Sequence, residues 1–353
     1  MKQNKLITWG LATSISVALM WLVMAADSGM FIPHDERWAV EPGAVTDDGF
    51  SHQKEVLSLP SADVAYIDVG EGPPLILLHG CPFSVYEWKE ILPELSKHYR
   101  VIAPDLFGLG DTPVRLNQDY RLPTDVTMVN ELMDALDIPS ASFITHDHGG
   151  ATLQLMMKSS PERIDKAIMT NVEAYDQWPS IPELPYLRAI VNPITSPLMF
   201  EAMQFNFIQR KVFSIAYEDD ASLTPEIAHA FAMAHAGSAE RWQRLRRFFT
   251  WQMDENHNDI TMTAVPAMRA FKKPMLLIWG QKDENFGPEL AYRLANDIPG
   301  IQGISFMKNS QHMPMQEESE AYAETALAFL MSGTVSLEAA NEATKARTQG
   351  SYE

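Results

Sequence analysis

Hydrophobic and polar positions follow two different periods along residues 55–331. Short apolar runs bounded by Gly, Pro or polar residues favour strands, and apolar positions three and four residues apart favour helices. The predicted strands are residues 64–69, 75–78, 101–103, 142–145, 164–170, 275–279 and 301–307. The predicted helices are residues 86–97, 126–136, 288–296 and 318–330, with one more that starts near Gly149. This alternation predicts an α/β fold, a mostly parallel sheet with helices on both faces.

The alternation stops between residues 172 and 263, where the chain is helical and rich in aromatic residues. The segment is too long for a loop, so we interpret it as a helical lid inserted over the strand ends, where open α/β sheets bind ligands. Residues 55–171 and 264–331 then form the core. The lid aromatic residues that we single out as candidates for substrate contact are Trp178, Tyr175, Tyr186 and Tyr217. We expect a solvated helix face at the basic cluster of Arg241, Arg244, Arg246 and Arg247.

The N-terminal segment departs from this pattern, because residues 6–26 carry no charge and Lys2 and Lys5 precede them. Such a run is long enough to span a bilayer, and its flanking charges place the N-terminus in the cytoplasm. It is either a signal peptide cleaved after Ala25 or a membrane anchor. Both alternatives predict that the rest of the chain lies outside the cytoplasm. A cleaved signal peptide predicts a periplasmic or extracellular protein, and an anchor predicts a protein held at the membrane. Residues 27–54 resemble a linker, and residues 332–353 resemble a loose polar tail.

Composition narrows the possible partners. The formal net charge of −19 argues against nucleic acid and anionic membrane surfaces, so we expect membrane contact only through the N-terminal segment. The single cysteine, Cys81, excludes an internal disulfide and a cysteine metal cluster, and the histidines show no metal-ligand spacing. We therefore expect neither metal nor cofactor, and a small-molecule substrate with water as co-substrate.

The segment 142–151, SFITHDHGGA, carries the candidate chemistry. A strand ends, Asp147 follows, and two glycines open a helix, which is the pattern of a nucleophile elbow. A carboxylate at this place can displace a leaving group from an sp³ carbon and form an alkyl ester. Hydrolysis of that ester then requires a general base and an oxyanion hole.

Candidates for both functions follow other strands of the predicted sheet. His312, after the last strand, is the candidate base, and Asp283, after the preceding strand, is the candidate acid that orients it. The backbone N–H groups of Cys81 and His148 are the candidate oxyanion hole.

These motifs together resemble the epoxide hydrolase and haloalkane dehalogenase branch of the α/β-hydrolase superfamily. The loop His79-Gly-Cys-Pro82, the segment 100–112 and His146-Asp147-x-Gly149 are similar to its oxyanion loop, glycine turn and nucleophile motif. The resemblance implies an α/β-hydrolase fold with an inserted lid and an aspartate nucleophile.

Departures from the family pattern keep several functions open. Relatives usually carry Trp directly after the nucleophile, where this chain has His148. Some relatives place the acid after the sixth strand, where this chain has Asn171, which cannot act as a carboxylate, with Glu173 and Asp176 nearby. Haloalkane dehalogenases hold the leaving halide with that Trp and often with Asn or Glu at the position of Cys81, whereas epoxide hydrolases protonate the opening oxygen with lid tyrosines. We therefore predict an epoxide hydrolase. The alternatives are dehalogenation of a haloalkane or haloacid, hydrolysis of an ester or lactone, and a non-catalytic binding member of the fold.

Overall fold

The computed structural model describes residues 2–31, 37–38, 54–115 and 118–349. The strands are β1 Arg37–Trp38, β2 Glu55–Ser58, β3 Asp63–Val69, β4 Pro74–Leu78, β5 Arg100–Pro104, β6 Val114–Arg115, β7 Ala141–His146, β8 Ile164–Val172, β9 Met275–Gly280 and β10 Ile301–Met307. The helices are α1 Lys2–Asp27, α2 Leu92–Leu95, α3 Leu122–Ala135, α4 Asp147–Ser159, α5 Leu184–Val191, α6 Ser196–Ala202, α7 Asn206–Phe213, α8 Pro225–Ala236, α9 Ala239–Gln252, α10 His257–Met262, α11 Val265–Ala270, α12 Pro288–Asp297, α13 Pro314–Glu317, α14 Ser319–Ser332 and α15 Leu337–Gln349.

The main sheet has eight strands in the order β10-β9-β8-β7-β4-β5-β3-β2. Every neighbouring pair from β10 to β5 is parallel, and β3 and β2 add antiparallel pairs at one edge. Central strands such as β9 are buried along their whole length, which explains why their sequences are continuous apolar runs. The predicted fold class is confirmed.

One predicted helix, residues 86–97, is instead broken into a 3₁₀ turn at Val85–Trp88 and the short helix α2. Pro93 lies at the start of α2. Proline has no N–H to donate to the carbonyl four residues earlier, so the helix cannot run through this position.

The lid lies between β8 and β9 and consists of α5 to α10. Its inner aromatic residues, among them Phe231, Phe248 and Phe249, are buried. The prediction of a solvated helix face at the basic cluster is wrong for two of the four arginines, because Arg241 and Arg244 are buried. Arg244 donates to the carbonyl oxygens of Gly110 and Thr112 in the core.

The N-terminal helix α1 is not separate from the rest of the fold. Trp21 Nε1 donates to the carbonyl oxygen of Ile194 at 3.0 Å, and Gln243 Nε2 donates to that of Ser28 at 2.7 Å. The end of α1 therefore packs on the lid. Within the described part of the chain, no helix combines the length and the hydropathy that crossing a membrane requires. The predicted linker, residues 27–54, falls largely outside the described residues.

The predicted loose tail is also corrected. Residues 337–349 form α15, which packs on β10 and α12. Its inward face consists of Ala339, Ala343 and Ala346, all buried. These alanines lie four and three residues apart, which is a helical spacing, but their small side chains produce a weak hydrophobic pattern.

Candidate active site

Asp147 lies at the turn where β7 ends and α4 begins. Its φ of 46° is in the left-handed region, an uncommon conformation for a residue other than glycine, and its side chain is fully buried. The turn requires close packing, since a Cβ on Gly149 would lie 2.3 Å from the carbonyl oxygen of Leu78. The predicted elbow is therefore present, with Asp147 at its tip.

The two carboxylate oxygens of Asp147 have different surroundings. Oδ1 accepts a hydrogen bond of 2.7 Å from the backbone N–H of Cys81. Oδ2 lies 3.8 Å from Nε2 of His312. Neither Oδ2 nor that Nε2 has a hydrogen-bond partner among the described residues, although both atoms are buried. One oxygen is thus held by a backbone donor, while the other faces His312 without a hydrogen bond.

The side chain of His312 contacts that of Asp283, its predicted partner. Its Nδ1 lies 2.8 Å from Asp283 Oδ2. Asp283 is itself fixed by the side-chain amide of Asn171 at 2.6 Å and the backbone N–H of Asn285 at 2.7 Å. Asn171 therefore supports the acid rather than replacing it.

Charge around His312 affects its protonation. Burial opposes the imidazolium, but the carboxylates of Asp283, Asp147 and Glu183 outweigh burial and raise the pKa of His312 to about 9. If the charge of Asp147 is lost, the pKa of His312 falls, and the neutral imidazole becomes available as a base.

The oxyanion loop after β4 rests on a second buried acid, Glu87. Its Oε2 lies 3.3 Å from the backbone nitrogen of Gly80 and 3.2 Å from Nδ1 of His146. Nε2 of His146 lies 2.9 Å from the carbonyl oxygen of His312. Burial raises the pKa of Glu87 to about 8 and lowers that of His146 to about 3, so Glu87 is protonated and His146 is neutral at pH 7.

The side chain of His148 lies between two carboxylates. Its Nδ1 is 3.2 Å from Glu173 Oε2, and its Nε2 is 3.3 Å from Asp125 Oδ2. Burial would lower the pKa of His148, but the hydrogen bonds to Asp125 and Glu173 raise it to about 10. Glu173 also contacts Nε2 of His257. The imidazolium therefore has both nitrogens occupied.

A pocket with a cavity volume of about 50 Å³ lies between the oxyanion loop and the lid. Its wall is largely apolar, and its lining residues are Cys81, Pro82, Phe83, Trp178, Glu183, Tyr186, Leu187, Ile190, Val212, Phe213, Ile215, Ala216 and Phe249. Two predicted substrate contacts, Trp178 and Tyr186, belong to this lining.

The other two predicted contacts do not line this cavity. Tyr175 donates through its hydroxyl to Asp297 on α12 at 3.2 Å, and its ring lies under the guanidinium of Arg293. Tyr217 donates to the side-chain carbonyl of Gln316. Both hydroxyl groups are therefore used in tertiary hydrogen bonds, which the local sequence pattern does not indicate.

A family model described as the alpha/beta hydrolase fold matches residues 73–317. The chain belongs to the α/β-hydrolase fold family. The family model covers the elbow, the oxyanion loop, Asp283 and His312, so the predicted resemblance to the superfamily is confirmed.

Relatives of this α/β-hydrolase carry two kinds of name. The chain is 34% identical to a soluble epoxide hydrolase of Corynebacterium sp. (strain C12) over 119 residues, 32% of this chain and 41% of that protein. It is 27% identical to a haloalkane dehalogenase of Mesorhizobium japonicum over 147 residues, 41% of this chain and 47% of that protein. The chain thus matches a little under half the length of these relatives.

A solved structure shows the same fold over a longer span. Haloalkane dehalogenase DbeA from Bradyrhizobium elkani is similar with a TM-score of 0.65 at 20% identity. The similarity covers 79% of this chain and 97% of that chain.

Two acids in this α/β-hydrolase were not predicted from the sequence, Glu87 below the oxyanion loop and Glu183 in the cavity wall. Each interrupts an apolar stretch, Val85-Tyr86-Glu87-Trp88 in one case and Ile181-Pro182-Glu183-Leu184 in the other. A carboxyl group within an apolar stretch is the signal that could have found them. No group of three or more His, Cys, Asp or Glu side chains in the described ranges could hold a metal ion.

Proposed function

We propose that this chain is a hydrolase that opens an epoxide with Asp147 as nucleophile. The arrangement of Asp147 carries the proposal, because Cys81 N–H holds Oδ1 while Oδ2 lies free beside His312. An aspartate at the elbow favours attack on an sp³ carbon, whereas a serine nucleophile attacks an acyl carbon.

The reaction has two steps. Asp147 Oδ2 bonds to an epoxide carbon, the carbon–oxygen bond breaks, and the oxygen takes a proton to give a hydroxyalkyl ester. Water then adds to the ester carbonyl as His312 accepts its proton, and the N–H groups of Cys81 and His148 stabilise the oxyanion. Collapse releases the diol, whose oxygen takes the proton from His312, and regenerates Asp147.

The charge balance of the triad suits this order of events. In the resting site the carboxylate of Asp147 contributes to the raised pKa of His312. Forming the ester removes that charge, so the His312 imidazolium releases its proton to solvent more readily, and the neutral imidazole then accepts the proton of the attacking water.

The surroundings of the leaving group favour an epoxide over a halide. A leaving halide needs N–H donors, but both ring nitrogens of His148 contact carboxylates. Trp178 Nε1 donates to the carbonyl oxygen of Gln252, and Cys81 offers a thiol whose pKa is raised by burial. An opening epoxide instead needs a single proton donor.

The test is to trap the ester. The full chain carrying His312→Gln is incubated with terminal and aryl epoxides and with haloalkanes, and its intact mass is recorded. We expect a stable adduct that weighs as much as the whole epoxide, with no turnover. The matched control, His312→Gln with Asp147→Asn, should form no adduct, which locates the ester on Asp147.

Two results would contradict the proposal. An adduct lighter than its substrate by the hydrogen halide, formed with haloalkanes only, would identify a dehalogenase. If no compound gives an adduct while the unmodified chain turns over activated esters, the nucleophile acts at acyl carbon.

A further inference from the structure

Glu183 is an acid that the two-step reaction does not yet use. It directly precedes α5 in the lid, and its side chain lines the cavity beside Leu187 and Ile190. Only 9% of the residue is exposed. A carboxyl group in an apolar wall is costly unless it is neutral or paired with a positive charge.

One hydrogen bond positions this carboxyl group. The hydroxyl of Ser180 donates to Glu183 Oε2 at 2.7 Å. The same hydroxyl lies 3.2 Å from Asn285 Oδ1, and the backbone N–H of Asn285 donates to Asp283. Glu183 is thus linked to the loop that carries the acid of the triad, while none of the described residues hydrogen-bonds to its Oε1.

Burial and nearby charges set the pKa of Glu183. Burial and then the negative charge of Asp147 raise the pKa of Glu183 to about 7, against the opposing charge of His312. Asp283 acts in the same direction as Asp147. At neutral pH, a large fraction of Glu183 therefore carries a proton.

The opening of an epoxide needs such a proton. The side chains lining the cavity that carry an acidic proton are Glu183, Tyr186 and Cys81. A carboxylic acid is a stronger donor than a phenol, whose ordinary pKa is about 10, and burial makes the thiol of Cys81 weaker still.

We propose that Glu183 is the catalytic acid that protonates the leaving oxygen of the epoxide. The inference rests on the proposed function. It assigns to Glu183 the proton-donor role that the family resemblance implies for lid tyrosines. As Asp147 Oδ2 bonds to carbon, the electron pair of the breaking bond moves to oxygen, and that oxygen takes the proton of Glu183. The negative charge thereby passes from Asp147 to Glu183. Hydrolysis of the ester regenerates Asp147 as a carboxylic acid, and the proton that this acid releases restores Glu183.

The test measures ring opening alone. In the His312→Gln background, the rate of adduct formation with one epoxide is followed by intact mass from pH 5.5 to 10. With Glu183 present, the rate should fall tenfold per pH unit once the acid has titrated. That inflection should lie above pH 7, because the charge of His312 is absent in this background. Glu183→Gln should slow adduct formation about 100-fold or more and abolish the pH dependence.

Three further variants make the outcome specific. Glu183→Asp keeps an acid one methylene shorter and should recover part of the rate, whereas a merely structural role predicts no such recovery. Tyr186→Phe should leave the rate within threefold, and the melting temperatures of all variants confirm folding. The inference fails if Glu183→Gln opens the epoxide as fast as its parent with the same pH profile, or if Tyr186→Phe alone abolishes opening. If the parent His312→Gln protein forms no adduct, the proposed function itself fails.

Discussion

Glu87, His146 and the backbone of His312 form a chain of contacts that fixes the protonation of each group. The carbonyl oxygen of His312 can only accept, so Nε2 of His146 must donate to it at 2.9 Å. A neutral imidazole then has Nδ1 as an acceptor, and the group 3.2 Å away is Glu87 Oε2. Glu87 must therefore be the donor, which agrees with its raised pKa of about 8.

This protonation predicts a pH effect on stability. In the unfolded chain Glu87 ionises near its ordinary pKa, whereas in the fold it keeps its proton until about pH 8. The folded state therefore binds more protons between these two values, and its stability falls as pH rises through that window. The slope for one such group is roughly 1 kcal/mol per pH unit.

Glu87→Gln keeps a donor and an acceptor but cannot ionise, so it should lose less stability than the unmodified chain between pH 5 and pH 7.5. Chemical denaturation at both pH values measures the difference. Glu90→Gln changes the same charge at an exposed position nearby and should behave like the unmodified chain. Equal slopes for Glu87→Gln and the unmodified chain would show that Glu87 is ionised in the fold.

The positions of the three candidate catalytic residues could be predicted because each follows a strand within a short motif. Asp147, Asp283 and His312 meet at one edge of the sheet because parallel strands end there together. The roles of Glu87 and Glu183 depend on segments far apart in sequence, such as the contact of Glu87 with His146. The sequence marks Glu87 and Glu183 only as acids within apolar stretches and gives no signal for their long-range contacts.

At the level of elements, buried charges attach the lid to the core. Arg241 donates to Asp111, and Lys54 contacts Asp111 at 2.7 Å and Asp105 at 2.6 Å. Arg244 donates to backbone carbonyls of Gly110 and Thr112. The glycine turn after β5 is thus joined to α9, which positions the lid over Asp147.

Arg244→Met should therefore destabilise the protein and loosen the lid. The substitution leaves buried carbonyls without donors, at a cost on the order of 3 kcal/mol. Denaturant unfolding measures the loss, and Lys211→Met, which removes an exposed charge from α7, is the matched control. Equal midpoints for the two variants would contradict an anchoring role for Arg244.

Regular elements were predicted well where burial is two-sided, as in the central strands. The arginines of α9 were misjudged because a charged side chain normally indicates solvent, and only the acceptors of another segment explain their burial. The break in the helix at residues 86–97 was missed although Pro93 was visible, since the apolar spacing continued through it.

For the whole molecule, the C-terminal helix α15 closes the edge of the sheet. It covers β10, and Ala339 lies so close to Gly303 that an added Cβ would be 3.1 Å away. Tyr292 of α12 bonds to Glu342, which joins a second element to this edge. Residues 337–349 are therefore part of the fold.

Ala343→Glu should destabilise the protein, because it forces a charge into a fully buried position. The loss should be on the order of 3 kcal/mol and lower the melting temperature by several degrees. Thr344→Glu adds the same charge at the exposed neighbouring position and should change little. A loose tail would give the same result for both substitutions.

The apolar wall of the cavity affects substrate entry and product release. Leu187, Ile190 and Phe213 make favourable contacts with an apolar molecule. Their side chains offer no hydrogen bonds to the two hydroxyl groups of a diol. Under the proposed function, the epoxide therefore partitions inward from water, and its diol product is better solvated outside. The pocket then retains substrate better than product, so accumulated diol should slow turnover little even when it far exceeds the remaining epoxide.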